Sequence, residues 1–478
     1  MNKQVFNPYL PSFEYIPDGE PHLFDGRVYI YGSHDLFNGV SFCLGDYVCW
    51  SAPEDDLTDW RYEGIIYRRS QDPNGKRGIL NAMYAPDVCR GNDGKYYLYY
   101  FIGYRGLISV AVCDAPAGKY EFLGFVKYKD GTPIGKKNEP LQFDPSVFVD
   151  DDGKAYLYTG FAPVGYPAVL LGGHKPSLHG AMCWELEDDM LTVKGGFKYI
   201  GIKGKTESAN SDYEGHEFFE ASSMRKFGGK YYFIYSSYEG HELCYAVSDK
   251  PDGDFKFGGT LVSIGDVGLN GRTKKDALNY LGNTHGSIIE LNEKYYVFYH
   301  RQTNRHQFSR QACAERIELT DGRYIQAETT SCGLNGSALN GRGTYSSHIA
   351  CNLYGKNGTY TYGVIKKPRK SYPYFTQYGK DREDNPDQHI ANFCGGATAV
   401  FKYFEILDIK NISVTLRGRV KGNIAVDDGN GKTLATIPVD GKGLKTYSAA
   451  WIGENGTHAL KFTFHGKGRP DFISFTLE

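Results

Sequence analysis

Three aspartates, a glutamate and a histidine recur at one place in a repeated pattern. Asp18, Asp87, Asp144, Glu220 and His285 each precede, by eight to ten residues, the basic residue of a hairpin turn: Arg27, Lys95, Lys154, Lys230 and Lys294. A single acid before a turn reads as a cap, but five polar groups in register on equivalent strands read as groups brought to one centre. Several carboxyls at one centre support binding of a hard cation or hydrolysis of a glycosidic bond, which uses one protonated and one ionised carboxyl. The run Asp150-Asp151-Asp152-Gly153 lacks the ligand spacing of a calcium loop and fits a hairpin turn. Local surroundings divide the roles. Glu220 follows Phe218 and Phe219 and precedes Ala221, an apolar setting that favours the protonated acid. Asp18, in IPDGEPH, lies among polar, flexible residues suited to an ionised base, and Asp144, clamped by Pro145, is the fixed third charge. Glu20, Glu214 and Glu217 compete for these roles but do not occupy the repeated offset.

The elements that must position these groups are five copies of one hairpin: LFDGRVYIYGS, GNDGKYYLYYF, DDDGKAYLYTG, FGGKYYFIYSS and LNEKYYVFYHR. Turn residues between apolar and aromatic runs are a hairpin signal. A second half follows four of them, most plainly at 112–124 and 246–259, more loosely at 48–64, and after the fifth hairpin at 310–328. Four short strands per unit, repeated five times, predict an all-β, five-bladed β-propeller over 1–328, with the first strand of each blade lining the channel. KKDALNYL (274–281) is the best short helical candidate. Residues 331–343 read as a connection. The remainder alternates in short runs with turn signals between them, which predicts an antiparallel β-sandwich over 335–478. Its Trp451 is either core or a sugar platform.

The chain has 478 residues, 54 basic against 56 acidic, and 15% aromatics including 39 tyrosines. That length suits two domains, and the absence of a basic stripe argues against nucleic acid or anionic lipid and for an uncharged polar partner such as sugar. No apolar run reaches membrane-span length, and MNKQVFNPYLPSFEY has no apolar signal core. With ten cysteines scattered singly and no CxxC, a reducing, cytoplasmic setting is expected.

At these residues the chain resembles glycoside hydrolase family 43 over about its first 325 residues. The motifs are PDGEPH with Asp18, YAPDV with Asp87, FDPSVFVDDDGKAYLY with Asp144, FEASSMRK with Glu220 and GNTHGS with His285. The first departs from the family's commoner Asp-Pro form. The resemblance implies a propeller hydrolase that inverts the anomeric centre, with Asp18 as general base, Glu220 as general acid and Asp144 raising the pKa of Glu220. It implies that His285 sits at the channel centre, facing a structural calcium or water, and that Arg310, ahead of Arg301, holds sugar hydroxyls. Asp87 is expected to contact substrate or to brace its blade. The stretch from IANFCGGATAVFKYFEI to SVTLRGRV resembles family 6 carbohydrate-binding modules, as a sugar site or as a domain shaping the pocket wall.

The expected activity needs no cofactor: exo-acting release of terminal pentoses from plant cell-wall oligosaccharides containing arabinose or xylose. α-L-arabinofuranosidase stands first, with β-xylosidase or a bifunctional enzyme as the alternative. An endo-arabinanase needs an open groove, whereas the insertions Asn38–Trp50 and Gly160–His179 favour a closed pocket. A non-catalytic sugar-binding propeller is the rival from outside enzymes, and it predicts that one of Asp18, Asp144 and Glu220 is missing or misdirected.

Overall fold

The aromatic strands of the repeat have no polar face because both of their faces are buried. In Tyr96–Ile102 of the computed structural model, Tyr96, Leu98 and Tyr100 pack toward the preceding blade, while Tyr97, Tyr99 and Phe101 pack toward the following one. Side chains alternate along a strand, so a strand sandwiched between two blades must be apolar at every position. Tyr231, Phe233 and Tyr235 against Tyr232 and Ile234 repeat the arrangement in blade 4. Five buried clusters result, one at each junction between adjacent blades. The structure describes residues 3–75, 81–103, 106–137, 139–362, 371–379 and 387–478.

Blades 1 to 4 are four-stranded antiparallel sheets, and blade 5 has three strands, Ser287–Leu291, Lys294–Arg301 and Gln311–Ile317. The innermost strands are Glu20–Phe24, Met83–Arg90, Ser146–Val149, Phe218–Phe227 and Ser287–Leu291, each in contact with the next around a closed ring. The N-terminal segment lies against blade 5. Tyr9 N donates to Ala312 O, and the Asn7 side chain exchanges hydrogen bonds with the Ala314 backbone. The five hairpins use two kinds of turn. Asp25-Gly26, Gly228-Gly229 and Asn292-Glu293 are two-residue loops with both φ values positive, which match the strand twist. Blades 2 and 3 use longer loops that end in Gly94 and Gly153. Residues 274–281 contain only a single 3-10 turn, Lys274–Asp276, and no α-helix.

Below the pocket described next, polar side chains stitch all five inner strands together. Glu20 Oε2 accepts from Arg225 Nη2 at 2.6 Å and bonds the Ser223 hydroxyl at 2.9 Å, while Ser223 also bonds Ser287. Arg225 Nε donates to Ile288 O. The Asp87 carboxylate takes His22 Nε2 at 2.6 Å, Ser146 Oγ at 2.9 Å and Val147 N at 2.9 Å, and Met224 N donates to Ser146 Oγ.

After blade 5 the chain forms two facing six-stranded sheets. The first runs Leu339–Asn340, Thr398–Ile406, Gly456–Gly468, Val420–Asp427, Thr433–Gly441, with Asn352–Tyr354 also on Thr398–Ile406. The second runs Tyr374–Gln377, Gln388–Ala391, Asp471–Leu477, Asn411–Arg417, Leu444–Ala450, with Gly343–Ser346 on Asp471–Leu477. The sandwich is antiparallel except where Leu339–Asn340 joins in parallel. Phe401, Phe404, Phe462, Phe472 and Phe475 interlock in its core. Trp451 packs partly against that core. Polar bonds tie the sandwich to the propeller: Lys402 Nζ to Glu328 at 2.8 Å, Asn352 Nδ2 to Asp266 at 3.0 Å, and Arg301 to the carbonyls of His348 and Ala350.

Replacing Asp87 with Ala strands His22, Ser146 and the Val147 N–H in the buried channel. A loss of about 3 kcal/mol is expected, seen as a lower Tm and denaturant midpoint, with KM of the folded protein unchanged.

Candidate active site

Asp18, Asp144, Glu220, His285 and Arg310 line one pocket of about 240 Å³, at the ends where the inner strands begin. The backbone there is irregular, and the irregularity aims the side chains. Asp18 and Asp144 have left-handed φ values of 59° and 43°, and Ala221, directly after Glu220, has 69°. Such conformations persist only where the surroundings enforce them. In Phe218–Phe227 the register slips between Glu220 and Ser223, a bulge that turns Glu220 out of the regular ladder. Asp144 Oδ2 accepts from Ala221 N at 3.2 Å, so the third carboxyl holds the backbone that carries Glu220. Asp18 and His285 are brought together by the parallel bridge between Gly19 and Gly286. Gly286 must lack a side chain, because a Cβ there would meet Phe298 O at 1.8 Å.

The charges are set by burial and by two cations. Burial alone would raise the Asp18 carboxyl, but Arg310, whose Nη1 donates to Asp18 Oδ1 at 3.0 Å, holds it below the ordinary carboxylate range. His300 also lies beside Asp18, but burial and Arg310 drive its pKa down to about 3. The His300 ring is therefore neutral: Nε2–H donates to Asn283 O, and Nδ1 accepts the Asp18 N–H. Arg310 is thus the principal counter-charge. Burial opposes charge on His285, yet Glu20, Asp144 and Asp18 around it push its pKa up to about 9. Its Nδ1 stands 3.6 Å from Asp144 Oδ2 and 4.0 Å from Asp18 Oδ1, ion-pair distances too long for direct hydrogen bonds. Glu220 has the opposite fate from Asp18. Enclosure by protein raises its carboxyl first and the neighbouring Asp144 charge raises it further, to about 8. Asp144 is raised as well, chiefly by burial, so the two carboxyls titrate as a pair. At neutral pH the pocket holds an ionised Asp18 and a protonated Glu220.

Asp18 is buried and clamped, not in the flexible setting its polar neighbours suggest, because Arg310 and His300 reach it from blade 5. Arg310 differs from expectation too. Its Nε and Nη2 fork is spent on Asp35, at 2.9 and 3.0 Å, and Nη2 also reaches Cys43 Sγ. With Nη1 on Asp18, one Nη1 hydrogen remains for a ligand. Asp87 does not reach the pocket; its carboxylate is consumed by the inter-blade bonds above. Glu20 and Glu217 are engaged elsewhere, by Arg225 and Lys205, and Glu214 is exposed. Arg301 faces the sandwich, with its guanidinium over Phe375.

The pocket walls come from segments whose chemistry the repeat does not mark. Phe42 and Cys43 belong to the insertion 38–50, and Phe161 and Tyr166 to the insertion 160–179. Phe143, Phe161 and Phe219 form a continuous aromatic wall, with ring centroids 4.9 and 5.2 Å apart. Asp35, wholly buried, is visible in sequence only as a polar residue after the first hairpin. A calcium at His285 would find little protein to bind it. Glu20 Oε1 and His285 Nε2, 3.6 Å apart, are buried without hydrogen-bond partners, but Glu20 Oε2 is already on Arg225. One free carboxylate oxygen beside a guanidinium is not the oxygen cage of six to eight ligands that calcium takes. The residues present do not fit a protein-built calcium site.

The sequence profile "Glycosyl hydrolases family 43" matches residues 24–324. A "Xylosidase/arabinosidase" of Thermoclostridium stercorarium is 49% identical over 100% of this chain and 99% of its own length. A family 43 β-xylosidase/α-arabinofuranosidase from a compost metagenome, solved with xylotriose in a calcium-free form, superposes with a TM-score of 0.51. It is 27% identical over 66% of this chain and 96% of its own. A Bacillus subtilis arabinoxylan arabinofuranohydrolase solved with cellotetraose matches the fold over 98% of this chain and 96% of its own, at TM-score 0.50 and 20% identity.

The charge pattern predicts a bell-shaped dependence of kcat/KM on pH, with an alkaline limb near pH 8 as Glu220 loses its proton. Asp144→Asn removes a charge that raises Glu220, so the alkaline limb should move to lower pH. Arg310→Met removes the cation that lowers Asp18, so the acid limb should move to higher pH. Initial rates across buffers from acid to alkaline pH read both shifts.

Proposed function

The chain belongs to glycoside hydrolase family 43, and from that premise we propose that it removes single terminal pentoses from arabinoxylan- and xylan-derived oligosaccharides with inversion at the anomeric carbon. The observation that carries this reading is the opposite surroundings of two carboxyls facing one small pocket: Asp18 bonded to Arg310, which holds its pKa low, and Glu220 enclosed by protein beside Asp144, which together raise its pKa. Its volume of about 240 Å³ suits one sugar ring and lies below the usual range for larger ligands. Exo action follows, since an internal cleavage needs room for sugars on both sides of the bond. The terminal sugar stacks on the wall of Phe143, Phe161 and Phe219 and offers hydroxyls to the free Nη1 hydrogen of Arg310 and to His285.

In the reaction, Asp18 takes a proton from a water molecule as that water attacks the anomeric carbon. Glu220 gives its proton to the glycosidic oxygen as the bond to the leaving sugar breaks. Asp144 acts through Glu220, by its charge and by its hold on Ala221 N. After product leaves, Asp18 returns its proton to solvent and Glu220 regains one. No cofactor enters these steps. Both α-L-arabinofuranosidase and β-xylosidase activity are proposed, and the name of the relative at 49% identity over the whole chain, a xylosidase/arabinosidase, supports a dual reading. We assign the sandwich the fold of a family 6-like carbohydrate-binding module whose main work is support: Gln307 at the pocket bonds Tyr362 O from the segment after the propeller.

Glu220→Ala should lower kcat on xylo-oligosaccharides by about 10²–10⁴-fold, and by much less on aryl pentosides whose leaving group needs no proton. Asp18→Ala should abolish both activities. Proton NMR of the first-formed sugar should show the inverted anomer. Unchanged turnover in Glu220→Ala would sink the acid assignment, and a retained anomer would sink inversion.

A further inference from the structure

Blade 4 carries a second group of chemically able side chains, beside a cavity that shares no lining residue with the catalytic pocket. His216 stands in the turn that leads into Phe218–Phe227, and Glu242 and Cys244 face the same way on Glu242–Ser248. One ligand atom from each, His216 Nδ1, a Glu242 carboxylate oxygen and Cys244 Sγ, lies within 4.8 Å of the others. Nδ1 is 2.9 Å from Glu242 Oε1 and 3.9 Å from Cys244 Sγ. In a tetrahedral zinc site with bonds of about 2.0–2.3 Å, neighbouring donor atoms stand roughly 3.3–3.6 Å apart. The two separations from His216 Nδ1 lie within about half an ångström of that range, and the carboxylate and thiol, no more than 4.8 Å apart, would close toward it as an ion is bound. His216 and Glu242 line an open cavity of about 630 Å³, while Cys244 is a fully buried free thiol.

The surroundings hold the donors as outer-shell partners do around metal ligands. Glu242 Oε1 accepts from Ser237 Oγ at 2.7 Å and Oε2 from Thr260 Oγ1 at 3.0 Å. The His216 ring stacks on Phe257 with centroids 4.9 Å apart, which fixes its plane. Thiolate, imidazole and carboxylate together select a borderline-soft divalent cation over calcium or magnesium. The charge also balances. The bound ion would be held by neutral imidazole, carboxylate and thiolate, so the two anionic ligands match a dication, and the thiol proton leaves to solvent as the ion enters.

We propose that His216, Glu242 and Cys244 form a three-ligand binding site for a zinc-class divalent cation, with its fourth position open to the cavity beside blade 4. The site is separate from the catalytic pocket, and neither the family's chemistry nor the reaction above requires it. His216 lies four residues before Glu220, and Tyr235 Oη donates to its carbonyl. Occupancy therefore pins the entry of the strand that carries the acid.

The test uses the full chain, stripped of metal and titrated with Co²⁺ and Zn²⁺. One equivalent of Co²⁺ should produce a near-ultraviolet thiolate-to-cobalt charge-transfer band, which Zn²⁺ abolishes by displacement. Zn²⁺ should also raise Tm, as any ligand that binds only the folded state does. Cys244→Ser, close in size, should lose the band and weaken Zn²⁺ binding about 100-fold. His216→Gln should weaken it comparably and keep the hydrolytic activity of the metal-free protein. A cobalt spectrum without the thiolate band in the wild-type chain, or Zn²⁺ affinity unchanged in Cys244→Ser, overturns the proposal. The wild-type spectrum decides even if a variant fails to fold.

Discussion

The structure depends on charged and polar side chains that cross between blades at the propeller axis. Five radial sheets pack through apolar clusters at their junctions, and at the narrow centre, where the inner strands meet, polar side chains join them. Glu20 with Arg225, and Asp87 with His22 and Ser146, bind the five inner strands there. Both carboxylates are buried; Asp87 is matched on both oxygens, and Glu20 Oε2 takes Arg225 and Ser223 while Oε1 faces His285, the kind of pairing under which a buried charge can be kept. That framework holds the inner strands still enough for bulges and left-handed residues to aim functional groups just above it.

The pocket obeys the same constraint with one deliberate imbalance. Asp18 receives a guanidinium, and Asp35 secures that guanidinium from behind. Glu220 and Asp144 face each other and share the field of His285. One side of the pocket is neutralised by a fixed cation, and the other is left with two carboxyls and too few donors. Burial then does on each side what its partners allow: Asp18 stays ionised and Glu220 keeps its proton. The sandwich contributes at a distance, by bracing the blade 5 loop that bears Gln307.

Much of the fold was legible because the repeat is periodic in both turn chemistry and apolar pattern. The similar offset of Asp18, Asp144, Glu220 and His285 before their turns marked them as one constellation, and strand order around a ring brought them together. Asp87 carried the same mark and went elsewhere. The bulge between Tyr84 and Asp87 and the neighbouring Ser146 hydroxyl and Val147 N–H draw its carboxylate into the framework. An offset along the chain reports which strand a residue occupies. It does not report how a bulge turns the side chain or which donors await it.

The sequence by itself determined the all-β class, the five blades, the sandwich after them and the acids at the hub. These follow from local rules, two-residue turns and alternation of side chains, which each segment expresses without knowledge of the others. Only the tertiary structure decided that Arg310 serves Asp18 while its fork is locked on Asp35, that His300 is neutral and His285 charged, and which insertions wall the pocket. Those outcomes depend on distances between residues far apart in the chain, and electrostatic roles are set by such distances and by burial. The four acids and the histidine began as equals in the repeat, and their surroundings in space made them different.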